Sequence, residues 1–161
     1  MSVIAWDGSC LAADRQMTSC GMRTAVSKIK KLSSGVILAW AGDQEQGLVL
    51  AHWYENGSDP DKWPAFQRNT GHDWTRLIVV EDNRWIYTYE KEPEKQLLPL
   101  ANGKFMAWGS GRDYAMGAMA MGADAVKAVK IASEYDIYCG FGYEAFEAKT
   151  ITLSAHVCRD R

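Results

Sequence analysis

Six short pieces of this chain carry residue types that can do chemistry. Ser2 heads the apolar run "VIAW", and Asp14 closes "CLAAD". Lys28 opens "KIKKL", and Gly42 and Asp43 end "AWAGD". Ser110 sits inside "WGSGRDYA", and Asp136 and Cys139 sit inside "EYDIYCGF". Serine and cysteine are nucleophile types, aspartate and lysine hold charge or protons, and a glycine N–H can face an oxyanion. Each piece alone has a plainer use. Asp14 suits a turn at a strand end, Lys28 a surface charge, Gly42 a helix entry and Ser110 a helix cap.

The elements that must position these residues begin almost at once. Residues 3–6 and 10–13 form two apolar runs around Asp7-Gly8-Ser9, a hairpin signal. Chain ends normally fray, so a strand starting beside Ser2 marks a terminus that is built in. A looser hairpin is expected over 17–22 and 24–27 around Gly21, then strands at 28–32 and 36–41 split by Ser33-Ser34-Gly35. Asp43 is placed to cap a helix running to about residue 54. Residues 56–73 hold Gly, Pro, Asn and Asp throughout and read as loop with at most one helical turn. Strands are expected at 76–81, 84–89 and 105–108. A helix over 113–121, capped by Ser110 or Asp113, stops at Gly122. Asp124 starts a second helix with Ala125, Val126, Val129, Ala132 and Tyr135 on its apolar face. A last strand is expected over 150–157. This order is not βαβ alternation; it points to α+β with antiparallel sheets and outer helices.

Composition narrows the class. The 161 residues suit one domain, with 47% apolar and 24% charged residues, both ordinary globular values. A net charge of −2 gives no reason to expect a nucleic-acid partner, and Lys28, Lys30 and Lys31 read as a solvated strand edge. No apolar run approaches the roughly 20 residues of a membrane helix, and no secretory signal is seen. Cys10, Cys20, Cys139 and Cys158 lack CxxC spacing and read as reduced thiols of a cytoplasmic protein. His52, His72 and His156 fit no metal-ligand spacing, so neither a metal nor another cofactor is expected. Gly109 and Gly111 lack the rest of a phosphate loop and read as a helix-entry turn.

Together, and in this order, the pieces resemble the proteasome β-subunit family, in particular its bacterial peptidase branch, HslV. "LAADR", "KIKKL", "AWAG", "WGSGRDYA" and "DIYCG" are the most specific matches. The resemblance runs from Ser2 to about Glu147 and is weakest over 56–73. It implies an α+β fold, a four-layer αββα sandwich of two antiparallel sheets flanked by helices, spanning 1–161 as one domain. It also implies an N-terminal nucleophile hydrolase that cleaves peptide or amide bonds. Ser2 takes the place of the family's terminal threonine, Asp14 and Lys28 its acid and lysine, and Gly42 its oxyanion glycine. Ser110 and Asp136 match the residues around the nucleophile's amine, and Cys139 stands where the family has a serine. Extended substrate would lie against Cys20, Gly21 and Met22 and the segment after Gly42, with Asp43 and Gln44. Trp40 would line the leading side-chain pocket and favour small residues there; its plainer use is as a core tryptophan.

On this reading, removal of Met1 frees the Ser2 α-amine, which titrates near ~8 and can act as general base. A retained Met1 would block it. Lys28 would favour the alkoxide-like serine and keep the amine neutral, with Asp14 as its partner. Implied partners are a peptide or protein substrate, further copies of the chain in a ring, and an ATPase unfoldase. Serine in place of threonine lacks the methyl that restricts the rotamer. The loop at 56–73 stands in place of the family's second long helix. Two other readings are a silent structural subunit of the same fold and a small-amide acylase.

Overall fold

The computed structural model describes residues 2–65, 75–98 and 104–151. Among these residues there are eleven strands, three α-helices and one 3-10 turn, Pro60–Lys62. All strand pairs are antiparallel. The first sheet has the order β10-β1-β2-β11, from Met106–Gly109, Val3–Trp6, Cys10–Asp14 and Tyr143–Glu147. The second runs β5-β6-β7-β8-β9, from Ile29–Lys31, Ile37–Ala41, Arg76–Val80, Ile86–Tyr89 and Gln96–Leu97. β3 (Gln16–Ser19) and β4 (Met22–Ala25) make a separate ribbon.

Side-chain alternation builds three apolar clusters. From β1 and β2, Val3, Ala5 and Ala12 pack with Ala115 and Met119 of α2 (Arg112–Ala120) and Ala128, Val129 and Ala132 of α3 (Ala125–Tyr135). The other face of the same strands sends Ile4, Trp6, Leu11 and Ala13 against Ile29, Ile37, Ala39 and Ile78 of the second sheet. The far face of that sheet presents Leu38, Trp40, Leu77 and Val79 to Leu50, Ala51 and Trp53 of α1 (Gln44–Glu55). Both sheets are thus covered on both faces. That is why VIAW, CLAAD and ILAWA read as unbroken apolar runs and not as alternating ones.

Asp43 caps α1 by accepting from the Gln46 N–H, and Asp124 caps α3 by accepting from the Lys127 N–H, as expected. Other expectations shift. The ribbon turn is Cys20-Gly21, both at positive φ, so Met22 opens β4 instead of ending β3. A two-residue turn of that hand matches the twist of the arms. α2 is preceded by Gly111 with no side-chain cap bond, so neither Ser110 nor Asp113 caps it. On α3 Tyr135 is 64% exposed, and Ala128 takes its expected place in the core. The strand beside β2 is Tyr143–Glu147, which the sequence reading passed over. Of the strand expected at 150–157, positions 150 and 151 carry no strand and the rest lie outside the described residues. The same holds for 66–73, His72, His156 and Cys158. No helix among the described residues is long and apolar enough to cross a membrane.

Candidate active site

The Asp14 carboxylate gathers the site. It is fully buried, at the end of β2. Its Oδ1 accepts from the Val3 N–H at 2.9 Å and from Lys28 Nζ at 2.8 Å. Its Oδ2 accepts from the Gln16 N–H at 3.0 Å and the Gly140 N–H at 3.1 Å. One carboxylate thereby ties the start of β1, the residue before β5, the start of β3 and the 136–140 loop to one point. Lys28 is 4% exposed, unlike Lys30, which reaches Glu55, and Lys31, which reaches the Glu147 carbonyl. The solvated-edge reading therefore holds for two of the three lysines and fails for Lys28. A buried ammonium needs such a partner, since desolvating an unpaired charge costs several kcal/mol (about 3–5 when one partner is removed).

Ser2 is 2% exposed, and its Oγ has no hydrogen-bond partner among the described residues. Its carbonyl accepts from the Gly111 N–H at 3.3 Å and from Ser110 Oγ at 3.4 Å. Gly109 lies so near that a Cβ on it would stand 2.0 Å from the Ser2 carbonyl oxygen and 3.0 Å from Ser2 Oγ. Its φ of +91° is also one that favours glycine. Gly111 is equally crowded, with Val3 Cβ and Cys139 Sγ 2.9 and 3.0 Å from where its Cβ would be. The "GSG" read as a helix-entry turn is thus also the contact surface of Ser2.

Ser110 continues into the 136–139 turn. Its Oγ lies 3.8 Å from Cys139 Sγ, and that thiol donates to Asp136 Oδ2 at 3.3 Å. Burial raises the Asp136 pKa, but hydrogen bonds from the Tyr138 N–H, Ser110 and Cys139 outweigh it and hold the carboxyl below its ordinary value. Burial, then the charges of Asp14 and Asp136, push the Cys139 thiol up to about 12. Cys139 is therefore a neutral donor near neutral pH and not a thiolate.

Gly42 has φ +130°, and a Cβ there would lie 2.7 Å from Thr75 Oγ1 and 2.8 Å from Thr75 Cα. Thr75 is fully buried; its Oγ1 accepts from the Asp43 N–H and donates to Gln46 Oε1, each at 3.0 Å. Thr75, Gln16, Gly109 and Gly140 all shape the site, and the sequence gives no site role to any of them. Threonine and glutamine at strand starts carry no signal of their own. Gly109 was visible only as a turn glycine.

The substrate-contacting candidates fall in two places. Cys20, Gly21 and Met22 form the exposed tip of the β3–β4 ribbon. Trp40 lies opposite Lys28, its N–H donating to the Lys28 carbonyl at 3.1 Å. Its indole is 3% exposed, rests on Gly47 and donates to Gln44 Oε1 at 3.0 Å. Gln44 in turn donates to the Ser27 carbonyl. The indole belongs to the apolar cluster between the second sheet and α1, so Trp40 is a core residue there. No group of three or more His, Cys, Asp or Glu among the described residues could hold a metal ion.

Two antiparallel sheets face to face, outer helices, and an opening strand pinned by a buried Asp–Lys pair make up a fold shared with solved HslV and BPH structures. The chain superposes on eukaryotic HslV from Trypanosoma brucei with a TM-score of 0.69 at 18% identity, covering 92% of this chain and 99% of that one. It superposes on Thiobacillus denitrificans BPH in complex with epoxomicin with a TM-score of 0.68 at 19% identity, covering 92% and 98%. A second BPH structure gives 0.66 at 20% identity, covering 92% and 97%. At such identities the likeness is one of fold. No family model and no curated protein matches the sequence.

Proposed function

We propose that the chain is an N-terminal nucleophile hydrolase on a four-layer αββα sandwich, cleaving peptide or amide bonds with Ser2. Cutting between Met1 and Ser2 frees the α-amine, which takes the hydroxyl proton, directly or through a water, as Oγ attacks the carbonyl carbon. The tetrahedral oxyanion forms facing the Gly42 N–H; one such donor is typically worth about 100–1000-fold in rate. The proton passes to the leaving amine, and an acyl-enzyme ester remains on Ser2. Water, deprotonated by the same amine, then hydrolyses that ester and restores the serine. Lys28 lowers the energy of the alkoxide-like oxygen and keeps the neighbouring amine unprotonated by like-charge repulsion. Ser110, Asp136 and Cys139 hold the amine's surroundings, with the neutral Cys139 thiol donating where a serine hydroxyl would.

The observation that carries this reading is the shared Oδ1 of Asp14. It joins the Val3 N–H and Lys28 Nζ, bringing a buried positive charge to the residue next to Ser2. A desolvated lysine beside the proposed nucleophile supports the catalytic reading over a silent subunit. We further propose that copies assemble into a ring. Met121, Ile137 and Tyr135 are 89, 73 and 64% exposed, apolar surface that a partner copy would cover. An ATPase unfoldase is the partner such a chamber would need for folded substrates. The test is hydrolysis of a fluorogenic peptide amide by protein lacking Met1, beside Ser2→Ala and the Met1-retaining form. Only the first is expected to turn over; equal turnover by Ser2→Ala would refute the assignment.

A further inference from the structure

A cavity of about 410 Å³ opens between the second sheet and β10 with the start of α2. That volume is in the range of a small-ligand site. Arg76, Thr88, Glu90 and Gln96 line one side, and Gly109 and Arg112 the other. Gly109 is also the residue whose Cβ would come within 3.0 Å of Ser2 Oγ, so one wall residue of the cavity abuts the nucleophile.

Its charges are incompletely matched. Arg76 pairs with Glu90 through a terminal nitrogen, yet its Nε is buried with no hydrogen-bond partner among the described residues. Arg112 reaches Asp113 at 3.2 Å through its Nε, but Asp113 is 86% exposed, and such surface pairs are worth little. Burial, and then the nearby charge of Arg112, hold Arg76 below its ordinary pKa. An anion seated between the two guanidiniums would give the Arg76 Nε an acceptor and relieve their repulsion. Guanidinium forks suit planar carboxylates. A doubly charged phosphate would also face Glu90 and Asp113, which favours a singly charged group.

We infer that this cavity is a carboxylate subsite, in which Arg76 and Arg112 hold a carboxylate of the substrate close to the bond that Ser2 cleaves. The inference rests on the serine chemistry proposed above and names its substrate class: short amides or peptides with an acid near the scissile bond. That acid is either a free C-terminal carboxylate or an aspartate or glutamate side chain.

The experiment is titration calorimetry on Ser2→Ala protein with three acetylated alanine tripeptides. One has a free C-terminus, one a C-terminal amide, and one an amide with a central aspartate. At least one acid peptide is expected to bind about tenfold or more tighter than the neutral amide, the value of one charge-assisted pair. Which acid binds identifies the source of the carboxylate. Adding Arg112→Met, or Arg76→Met with Glu90→Gln, should erase the gap; Arg112 is exposed, so its variant keeps the fold testable. Equal binding of all three peptides, or a gap that survives both variants, would overturn the subsite. Because binding is read without turnover, the two ideas separate. Selective binding with no hydrolysis by the processed serine form sinks the hydrolase and leaves the subsite. Hydrolysis without selective binding does the reverse.

Discussion

Four donors converge on the Asp14 carboxylate, three of them backbone N–H groups: the local Gln16 and, from further along the chain, Val3 and Gly140. The fourth is the Lys28 ammonium, and its removal leaves a buried carboxylate without its counter-charge. Lys28→Met should therefore cost about 3–5 kcal/mol of stability and abolish turnover. Adding Asp14→Asn to that variant should recover much of the stability and none of the activity. Urea denaturation and a peptide-amide assay on the two single variants and the double read both quantities. Full activity in Lys28→Met would return Lys28 to an ordinary charge. Asp14 and Lys28 were legible in the sequence only through "LAADR" and "KIKKL" together. Neither residue type announces burial, and the pairing depends on strand register. Thr75, Gln16 and Gly140 stayed hidden for the same reason: they act through position and not through a rare type.

The strands of both sheet interiors were readable because apolar runs of four or five residues recur between turn residues. The α1 and α3 starts were readable because aspartate stands at each cap. Tyr143–Glu147 was not, since it is an edge strand of "YEAFE" with exposed or half-exposed positions throughout. An edge strand needs little apolar surface, so its composition resembles a loop. The α1–β6 contact supplies a prediction at this scale. A Cβ on Gly47 would fall 2.0 Å from Trp40 Cδ1, so Gly47→Ala must displace the indole. Trp40→Ala should instead leave a void between β6 and α1, costing roughly 3–5 kcal/mol. It should shift cleavage from Ala or Gly toward larger leading side chains, read from a peptide library; unchanged selectivity would remove Trp40 from the pocket. The hairpin of β1 and β2 carries a second prediction. Asp7 accepts from the Ser9 and Cys10 N–H groups and, at 2.9 Å, from the Ala125 N–H at the start of α3. Burial raises its pKa, but these bonds outweigh burial and lower it from the usual 3.8. A carboxyl lowered on folding adds stability above its unfolded pKa and loses it as pH falls through the folded value. The wild type should thus lose stability more steeply than Asp7→Asn as pH drops below about 4, measured by urea midpoints at stepped pH. Parallel curves would contradict the bond to α3.

At the scale of the whole molecule, residues 2, 14 and 110 come together because β1 lies between β2 and β10 in one sheet, and Lys28 joins them through Asp14 and Asp136 through Ser110 and Cys139. No periodicity in the sequence gives that order; the family resemblance did, and the fold agrees with it. The exposed apolar side chains of the α2–α3 side lead to an expected solution mass several times the 18.0 kDa of one chain, by light scattering. A monomer at micromolar concentration would contradict the proposed ring. The central claim is chemical, and mass spectrometry addresses it most directly. Protein lacking Met1, treated with an electrophilic peptide probe for N-terminal nucleophiles, should gain one adduct that peptide mapping places on Ser2. Ser2→Ala and the Met1-retaining form should gain none. An adduct on any other residue, or equal labelling of Ser2→Ala, would contradict the account.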